Sequence, residues 1–147
     1  VGLIRSNAQA LDAHRVLPIV ADGALPPFRP ASFQHVLLDA PCSGLGTLRR
    51  RSDARWRITA ADVGRLAALQ QRLIDTTAPL VEVGGTFTYS VCTVLAEESI
   101  AHRFPRGFEV IAEQPDGEWH PYGDGWRVLP HEAGTDGMVA LRYRRTS

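Results

Sequence analysis

Two cysteines and one aspartate stand where this sequence could do chemistry. Asp39 and Cys42 follow the apolar run Val36–Leu38, and Cys92 follows the apolar-rich stretch 86–91. A thiolate is a nucleophile, and a carboxyl group can bind or protonate a substrate nitrogen. From the residues alone, either thiol could attack a substrate. Both cysteines could also be buried small side chains, which is the usual state of a free cysteine.

The elements that must position these groups are strands. A short apolar run closed by turn residues is typical of an interior strand of a parallel sheet. Ligands bind at the carboxyl ends of such strands. Because one helical pattern separates the two runs, a single right-handed crossover should make the strands neighbours. We therefore expect the two sulfurs to face one cleft, with Asp39 beside them.

Periodicity and turn residues predict the remaining elements of an α/β fold, with a mostly parallel sheet and an antiparallel pair near the end. Thr59 and Asp62 resemble a capping box at the start of the longest helix. Gly84 and Gly85 indicate a turn. The predicted helices are 2–13, 59–77 and 96–104, and the predicted strands are 15–21, 36–39, 86–92, 108–112, 126–129 and 138–143.

Composition limits the class of protein. The 147 residues predict one domain, residues 1–147, and 44% hydrophobic with 22% charged residues is typical of soluble proteins. The sequence shows neither a membrane-length apolar run nor a signal-peptide pattern, which favours a cytoplasmic location. The five histidines lack metal-ligand spacing, so no metal site is predicted. The formal net charge is zero, but all 16 basic residues are arginines, so guanidinium groups would make any phosphate contact.

Several spaced motifs cover nearly the whole chain: Asp39–Gly44 with Gly46, Arg49, Arg50, Asp53 and Trp56; Gly84–Thr86 and Tyr89–Thr93 with Glu97 and Glu98; and Leu129–His131 with Gly134–Gly137. These motifs resemble the Sun/Fmu family of RNA cytosine-5 methyltransferases, most closely its bacterial small-subunit ribosomal RNA enzymes. Val91, Ser52 and the pair Met138-Val139 are mild departures from the family pattern.

This resemblance assigns roles that the residues alone leave open. It implies that Cys92 is the nucleophile that adds to cytosine C6, and that Cys42 assists release of the methylated product. Asp39 would contact the base and the cofactor S-adenosylmethionine, and Asp22 would contact the cofactor. Without the resemblance, Asp22 and Asp39 could each simply cap a turn.

The resemblance also implies contacts to RNA, the expected partner. Five arginines lie in the nine residues 49–57, around Trp56. Such a cluster is either a solvated loop or a phosphate track with a stacking platform. We favour RNA contact for Arg49, Arg50 and Pro41, and expect Trp56 to be packed.

The implied fold is a Rossmann-like class I methyltransferase sheet, truncated so that its first two strands are missing. The family's glycine-rich cofactor loop and ribose-binding acid would precede Val1. We therefore expect the isolated chain to bind S-adenosylmethionine weakly or not at all and to be inactive. The alternative function is a non-catalytic remnant or RNA-binding fragment; a dithiol redox protein is disfavoured because the sequence has no C-x-x-C motif.

The implied truncation also leaves one sheet edge without its neighbouring strands. Pro18 makes the predicted strand 15–21 a poor replacement, because proline lacks a backbone donor. We expect an exposed edge along Val36–Leu38, or a dimer contact there.

Overall fold

The computed structural model describes residues 1–147 as an α/β fold in which a helix packs on a six-stranded mixed sheet. Its helices are α1 (Gly2–Ala10), α2 (Ala54–Arg57), α3 (Ala60–Thr77) and α4 (Pro130–Ala133). Its strands are β1 (Phe33–Asp39), β2 (Val81–Val91), β3 (Phe108–Val110), β4 (His120–Tyr122), β5 (Gly125–Val128) and β6 (Met138–Arg145). The predicted α/β class is confirmed.

The sheet has the strand order β1-β2-β6-β5-β4, and β3 also pairs with β6. Only β1 and β2 are parallel, and every other pair is antiparallel. The prediction of a mostly parallel sheet is wrong, because no helix long enough for a crossover follows β2. The single crossover, through α3, makes neighbours of the two strands that lead to the cysteines.

Helix α3 begins with the predicted capping box, which is confirmed. The Thr59 hydroxyl accepts a hydrogen bond from the Asp62 backbone N–H at 3.2 Å, and the Asp62 carboxylate accepts one from the Thr59 backbone N–H at 2.9 Å. These bonds satisfy two donors that a helix start otherwise leaves unpaired. The helix ends at Thr77, two residues before Pro79, as predicted.

The hydrophobic core lies between α3 and the middle of the sheet. Strand β2 is central in it and alternates buried and partly exposed side chains along its second half. Full burial of each large apolar side chain contributes about 1.5–3 kcal/mol, so β2 gives the residue that follows it a rigid support. The buried cluster consists of Ala40, Ile74, Ala78, Val81, Phe87, Tyr89, Val91, Val139, Leu141 and Tyr143.

Three sequence predictions of secondary structure are wrong, and β4 was not predicted. Residues 15–21 form no strand, because they have no strand to pair with and Pro18 removes a donor. Residues 96–104 contain only a 3-10 turn at Ala96–Glu98. Gly84 and Gly85 lie within β2, where the pairing register shifts and a Cβ on Gly85 would lie 2.6 Å from the Gln34 carbonyl oxygen.

The outer edge of β1 pairs with no other strand, as expected for an exposed edge. Leu37 on this strand is 69% exposed. A dimer contact through this edge stays a prediction. Helix α1 confirms most of the predicted helix 2–13 and buries none of its residues. None of the helices combines the length and the apolar character needed to cross a membrane.

Candidate active site

The carboxyl ends of β1 and β2 bring the two cysteines together. Asp39, the last residue of β1, pairs in register with Ser90 of β2. The sulfurs of Cys42 and Cys92 lie 3.3 Å apart. Both cysteines and Asp39 line the same cleft, whose volume is about 670 Å³. The prediction that the thiols converge on one cleft with Asp39 is confirmed.

The surroundings of the Cys42 thiol disfavour its ionised form. Burial, and secondarily the hydrogen bond with Cys92, raises the pKa of the Cys42 thiol from 9.0 to about 12. The raised pKa disfavours the thiolate form of Cys42. In the contact between the two sulfurs, either thiol can be the donor.

Two glycines allow the loop after Cys42 to fold against the Cys92 segment. Gly44 has φ +70°, a left-handed conformation that side chains disfavour, and it starts the 3-10 turn Leu45–Thr47. Gly46 donates its N–H to the Cys92 carbonyl at 3.0 Å and accepts from the Gly137 N–H at 2.8 Å. A Cβ on Gly46 would lie 2.0 Å from the Gly137 carbonyl oxygen. Gly46 thus joins both cysteine segments to the loop before β6.

A cluster of buried polar residues lies behind the loop that carries Cys42. It was missed in the sequence prediction, which quoted Glu98 only as part of a motif. The signal available there was an acid six residues after Cys92 in a segment with a helical pattern. The cluster consists of Ser43, Gln70, Thr93 and Glu98, with the half-buried His102 at its edge.

The arginine cluster divides into paired and unpaired side chains. Arg49 donates to the Gly134 carbonyl, and Arg50 forms an ion pair with Asp136. Arg57 is paired with Asp53 at 2.5 Å. Arg51 lines the cleft and forms no ion pair. The sequence prediction counted Arg51 in the cluster but did not single it out as an RNA contact.

Two other predicted RNA-facing residues can be placed. Pro41 lines the cleft next to Cys42. Trp56 is 83% exposed, and the Arg55 guanidinium lies 5.9 Å from the centre of its ring. The expectation that Trp56 is packed is therefore wrong, because α2 is one turn long and holds the ring away from the core. An exposed ring beside a guanidinium is a suitable surface for base stacking.

Of the two acids predicted to contact a cofactor, only Asp39 lines the cleft. The Asp22 carboxylate accepts a hydrogen bond at 2.9 Å from the backbone N–H of Ala24, two residues away, so in this structure it caps its own turn. A role for Asp22 toward a cofactor stays a prediction. No group of three or more His, Cys, Asp or Glu side chains is placed to hold a metal ion.

Residues 1–143 match the protein family described as 16S rRNA methyltransferase RsmB/F. The chain belongs to this family. The resemblance in the spaced cysteine motifs is thereby confirmed. Among curated members, a probable ribosomal RNA small subunit methyltransferase B from Bacillus subtilis is 34% identical over 99% of this chain and 33% of its own length. A protein of the same description from Synechocystis is 40% identical over 74% of this chain and 26% of its own.

The fold is similar to that of a solved structure. The structure of NSun6 from Pyrococcus horikoshii, solved with SFG, superposes with a TM-score of 0.80 at 25% identity, over 97% of this chain and 38% of that chain. The methyltransferase-type α/β fold expected from the motifs is confirmed. The chain spans a third or less of the length of these two curated RsmB/F relatives.

Proposed function

We propose that this chain carries the catalytic residues for S-adenosylmethionine-dependent methylation of cytosine C5 in small-subunit ribosomal RNA. The observation that carries the proposal is the pair of thiols 3.3 Å apart in one cleft with Asp39. The RsmB/F membership supports ribosomal RNA as the substrate. Such a substrate implies that the protein works in the cytoplasm, where ribosomal subunits are assembled.

Cys92 is the proposed nucleophile. Cys42 keeps its proton because burial raises its pKa to about 12, so it is a poor nucleophile at neutral pH. Cys92 directly follows β2, whose second half alternates core side chains with partly exposed ones. The packing of this strand in the core therefore holds the Cys92 sulfur in position before it attacks. The sequence resemblance assigns the same residue.

The proposed reaction begins when the Cys92 thiolate forms a bond to C6 of the base. The electrons of the C5=C6 double bond move onto the ring, and Asp39, as the carboxylic acid, stabilises the added charge by donating a hydrogen bond to N3. C5 then takes the methyl group. A base removes the C5 proton, the C5–H electrons restore the double bond, and the C6–sulfur bond breaks. The Cys42 thiol, 3.3 Å away, gives its proton to the departing Cys92 sulfur and takes it back once the product has left, so that Cys92 is again the thiolate.

S-adenosylmethionine would supply the methyl group in this reaction. The residues of this chain fit such a ligand in part: Asp39 faces the cleft, whereas Asp22 is turned toward Ala24. The ligand of the NSun6 structure, SFG, is an analogue of S-adenosylmethionine, which supports the same ligand class here. Asp39 is the residue we propose to contact both the ligand and the base.

RNA would approach along the arginine face of the cleft. Arg51 is the strongest candidate for a phosphate contact, because this residue lines the cleft and forms no ion pair. Arg49, Arg50 and Pro41 stay proposed RNA contacts; the two arginines would have to exchange Gly134 and Asp136 for phosphate oxygens. The exposed ring of Trp56 would stack on an unpaired base.

The test is a methyl-transfer assay on small-subunit ribosomal RNA with the full-length gene product that carries this chain. Nucleoside mass spectrometry should find 5-methylcytidine with the wild-type protein. Cys92→Ala should abolish it. Methylation at a ribose oxygen or at another base position would overturn the proposed reaction, and so would full activity of the Cys92→Ala variant.

A second candidate function, a non-catalytic RNA-binding fragment, is favoured by one observation. Asp22 does not reach the cleft, so a polypeptide of residues 1–147 offers only Asp39 to the cofactor. Calorimetry of this polypeptide with S-adenosylmethionine should show weak binding or none. Micromolar binding of S-adenosylmethionine would contradict the non-catalytic function.

A further inference from the structure

Glu98 carries a carboxylate whose position the proposed chemistry does not explain. Its side chain is 0% exposed and lies in the 3-10 turn Ala96–Glu98, six residues after Cys92. A carboxylate is expensive to remove from water unless donors surround it. The identity of those donors shows what Glu98 holds in place.

All of its hydrogen-bonding partners have a proton to donate. The Ser43 backbone N–H donates to Oε1 at 2.7 Å, the Ser43 hydroxyl donates to Oε2 at 2.5 Å, and the Gln70 amide donates to Oε1 at 3.2 Å. The carboxylate therefore acts only as an acceptor. Two of the three bonds hold Ser43, the residue directly after Cys42.

Gln70, from α3, holds the other side of the same cysteine. Its amide nitrogen also donates to the Pro41 carbonyl at 2.8 Å, and its amide oxygen lies 3.0 Å from His102 Nε2. Because the Gln70 nitrogen is engaged with two acceptors, its oxygen must accept, and His102 carries the proton on Nε2. Cys42 thus lies between two residues that buried side chains fix.

We propose that Glu98 is a positioning residue, which holds the Cys42 thiol against the Cys92 sulfur so that Cys42 can protonate that sulfur when the product leaves. Glu98 belongs to the segment that follows Cys92 and binds the residue that follows Cys42, so it ties the two cysteine segments directly to each other. Two further contacts join the same segments: the Ser43 hydroxyl lies 3.2 Å from the Thr93 hydroxyl, and Gly46 bonds through backbone groups only. This inference rests on the proposed function, and it adds a requirement for the release step.

The test compares Glu98→Gln with Glu97→Gln in the full-length gene product. The first variant keeps the shape of the side chain but replaces one acceptor oxygen with a donor. The second makes the same change at the neighbouring exposed glutamate, whose side chain forms no hydrogen bond or ion pair in the structure. Both are mixed with small-subunit ribosomal RNA and S-adenosylmethionine, and the covalent protein–RNA adduct is followed on a denaturing gel.

Glu98→Gln should clear the adduct at least about tenfold more slowly than wild type, as Cys42→Ala should, with the KM for RNA changed by less than about twofold. Glu97→Gln should match wild type. A merely structural role would lower the amount of folded protein without prolonging the life of the adduct, so circular dichroism of the same samples separates the two effects. Adduct clearance at the wild-type rate by folded Glu98→Gln would overturn the inference.

The same gel distinguishes this failure from failure of the proposed function. If Cys42→Ala accumulates an adduct and Glu98→Gln does not, only the role of Glu98 is wrong. If neither wild type nor Cys42→Ala forms an adduct at all, the covalent mechanism is wrong. Should Glu98→Gln not fold, Ser43→Ala is the second variant, because it removes one of the two donors on Ser43 and leaves the carboxylate in place. Ser43→Ala should then prolong the adduct as well, and normal clearance would again overturn the inference.

Discussion

The sulfur of Cys42 lies 3.3 Å from the sulfur of Cys92, although 50 residues separate the two along the chain. The parallel pairing of β1 with β2 brings them together, since α3 returns the chain to the start of the neighbouring strand. Burial raises the pKa of Cys42 and so favours its protonated form. Two sulfurs in contact, one of which is held as the thiol, suit the proposed pair in which Cys92 attacks and Cys42 assists departure.

The protonated state of Cys42 can be measured by alkylation. In a Cys92→Ser variant at about pH 8, iodoacetamide should modify Cys42 at least about tenfold more slowly than an exposed cysteine, because only the thiolate reacts. Burial is the largest cause of its raised pKa and remains in this variant. Peptide mass spectrometry measures the rate, and the urea-unfolded protein is the control. Rapid modification of folded Cys42 would show that it is the ionised thiol.

Gly46→Ala should destabilise the protein by roughly 1–3 kcal/mol or more, because the new Cβ has no room. It would lie 2.0 Å from the Gly137 carbonyl oxygen and 2.9 Å from that of Cys92. Gly64→Ala is the matched control: Gly64 lies on the exposed side of α3 with nothing within 4 Å, and this change should stabilise by roughly 0.5–1 kcal/mol. Urea unfolding measures both. Equal stability of the two variants would contradict the close packing at Gly46.

His102 should make stability fall in mild acid. Desolvation by burial lowers the pKa of His102 below 6.5. As the pH falls through about 6.5, the unfolded chain takes up this proton before the folded chain does, so the free energy of unfolding decreases, by at most about 1.4 kcal/mol per pH unit for one group. His102→Gln keeps a donor near Gln70 and should remove this part of the pH dependence. An unchanged pH profile in His102→Gln would contradict the assignment.

Local signals predicted the elements that carry the cysteines. The apolar run before Asp39 and the capping box at Thr59 each depend on residues close in sequence, so β1 and α3 could be anticipated. The strand expected at residues 15–21 failed for a different reason. A strand forms only when another strand pairs with it, and the residues of that segment do not show whether such a partner lies beside it.

The segment after Cys92 shows why the rest of the site was not predictable. Residues 96–104 have a helical pattern, but their polar groups bond to distant residues instead. The Glu98 carbonyl accepts from the Tyr89 hydroxyl at 2.7 Å, and the Glu98 carboxylate accepts from Ser43. Burial of an acid depends on donors that come from elsewhere in the chain, which sequence pattern does not reveal. Likewise, Arg50 forms an ion pair with Asp136 and Arg51 does not, because Asp136 comes from a distant part of the chain and lies beside Arg50.

The most direct test of the account is to identify the residue that is covalently bonded to the RNA when the reaction is stopped before release. The Cys42→Ala variant of the full-length gene product, incubated with small-subunit ribosomal RNA and S-adenosylmethionine, should accumulate a covalent adduct. After nuclease digestion, mass spectrometry should place one nucleotide on the peptide that contains Cys92, and the Cys42→Ala, Cys92→Ala double variant should form none. A nucleotide on any other residue, or an adduct and continued methylation in Cys92→Ala, would contradict the assignment of Cys92 as the nucleophile.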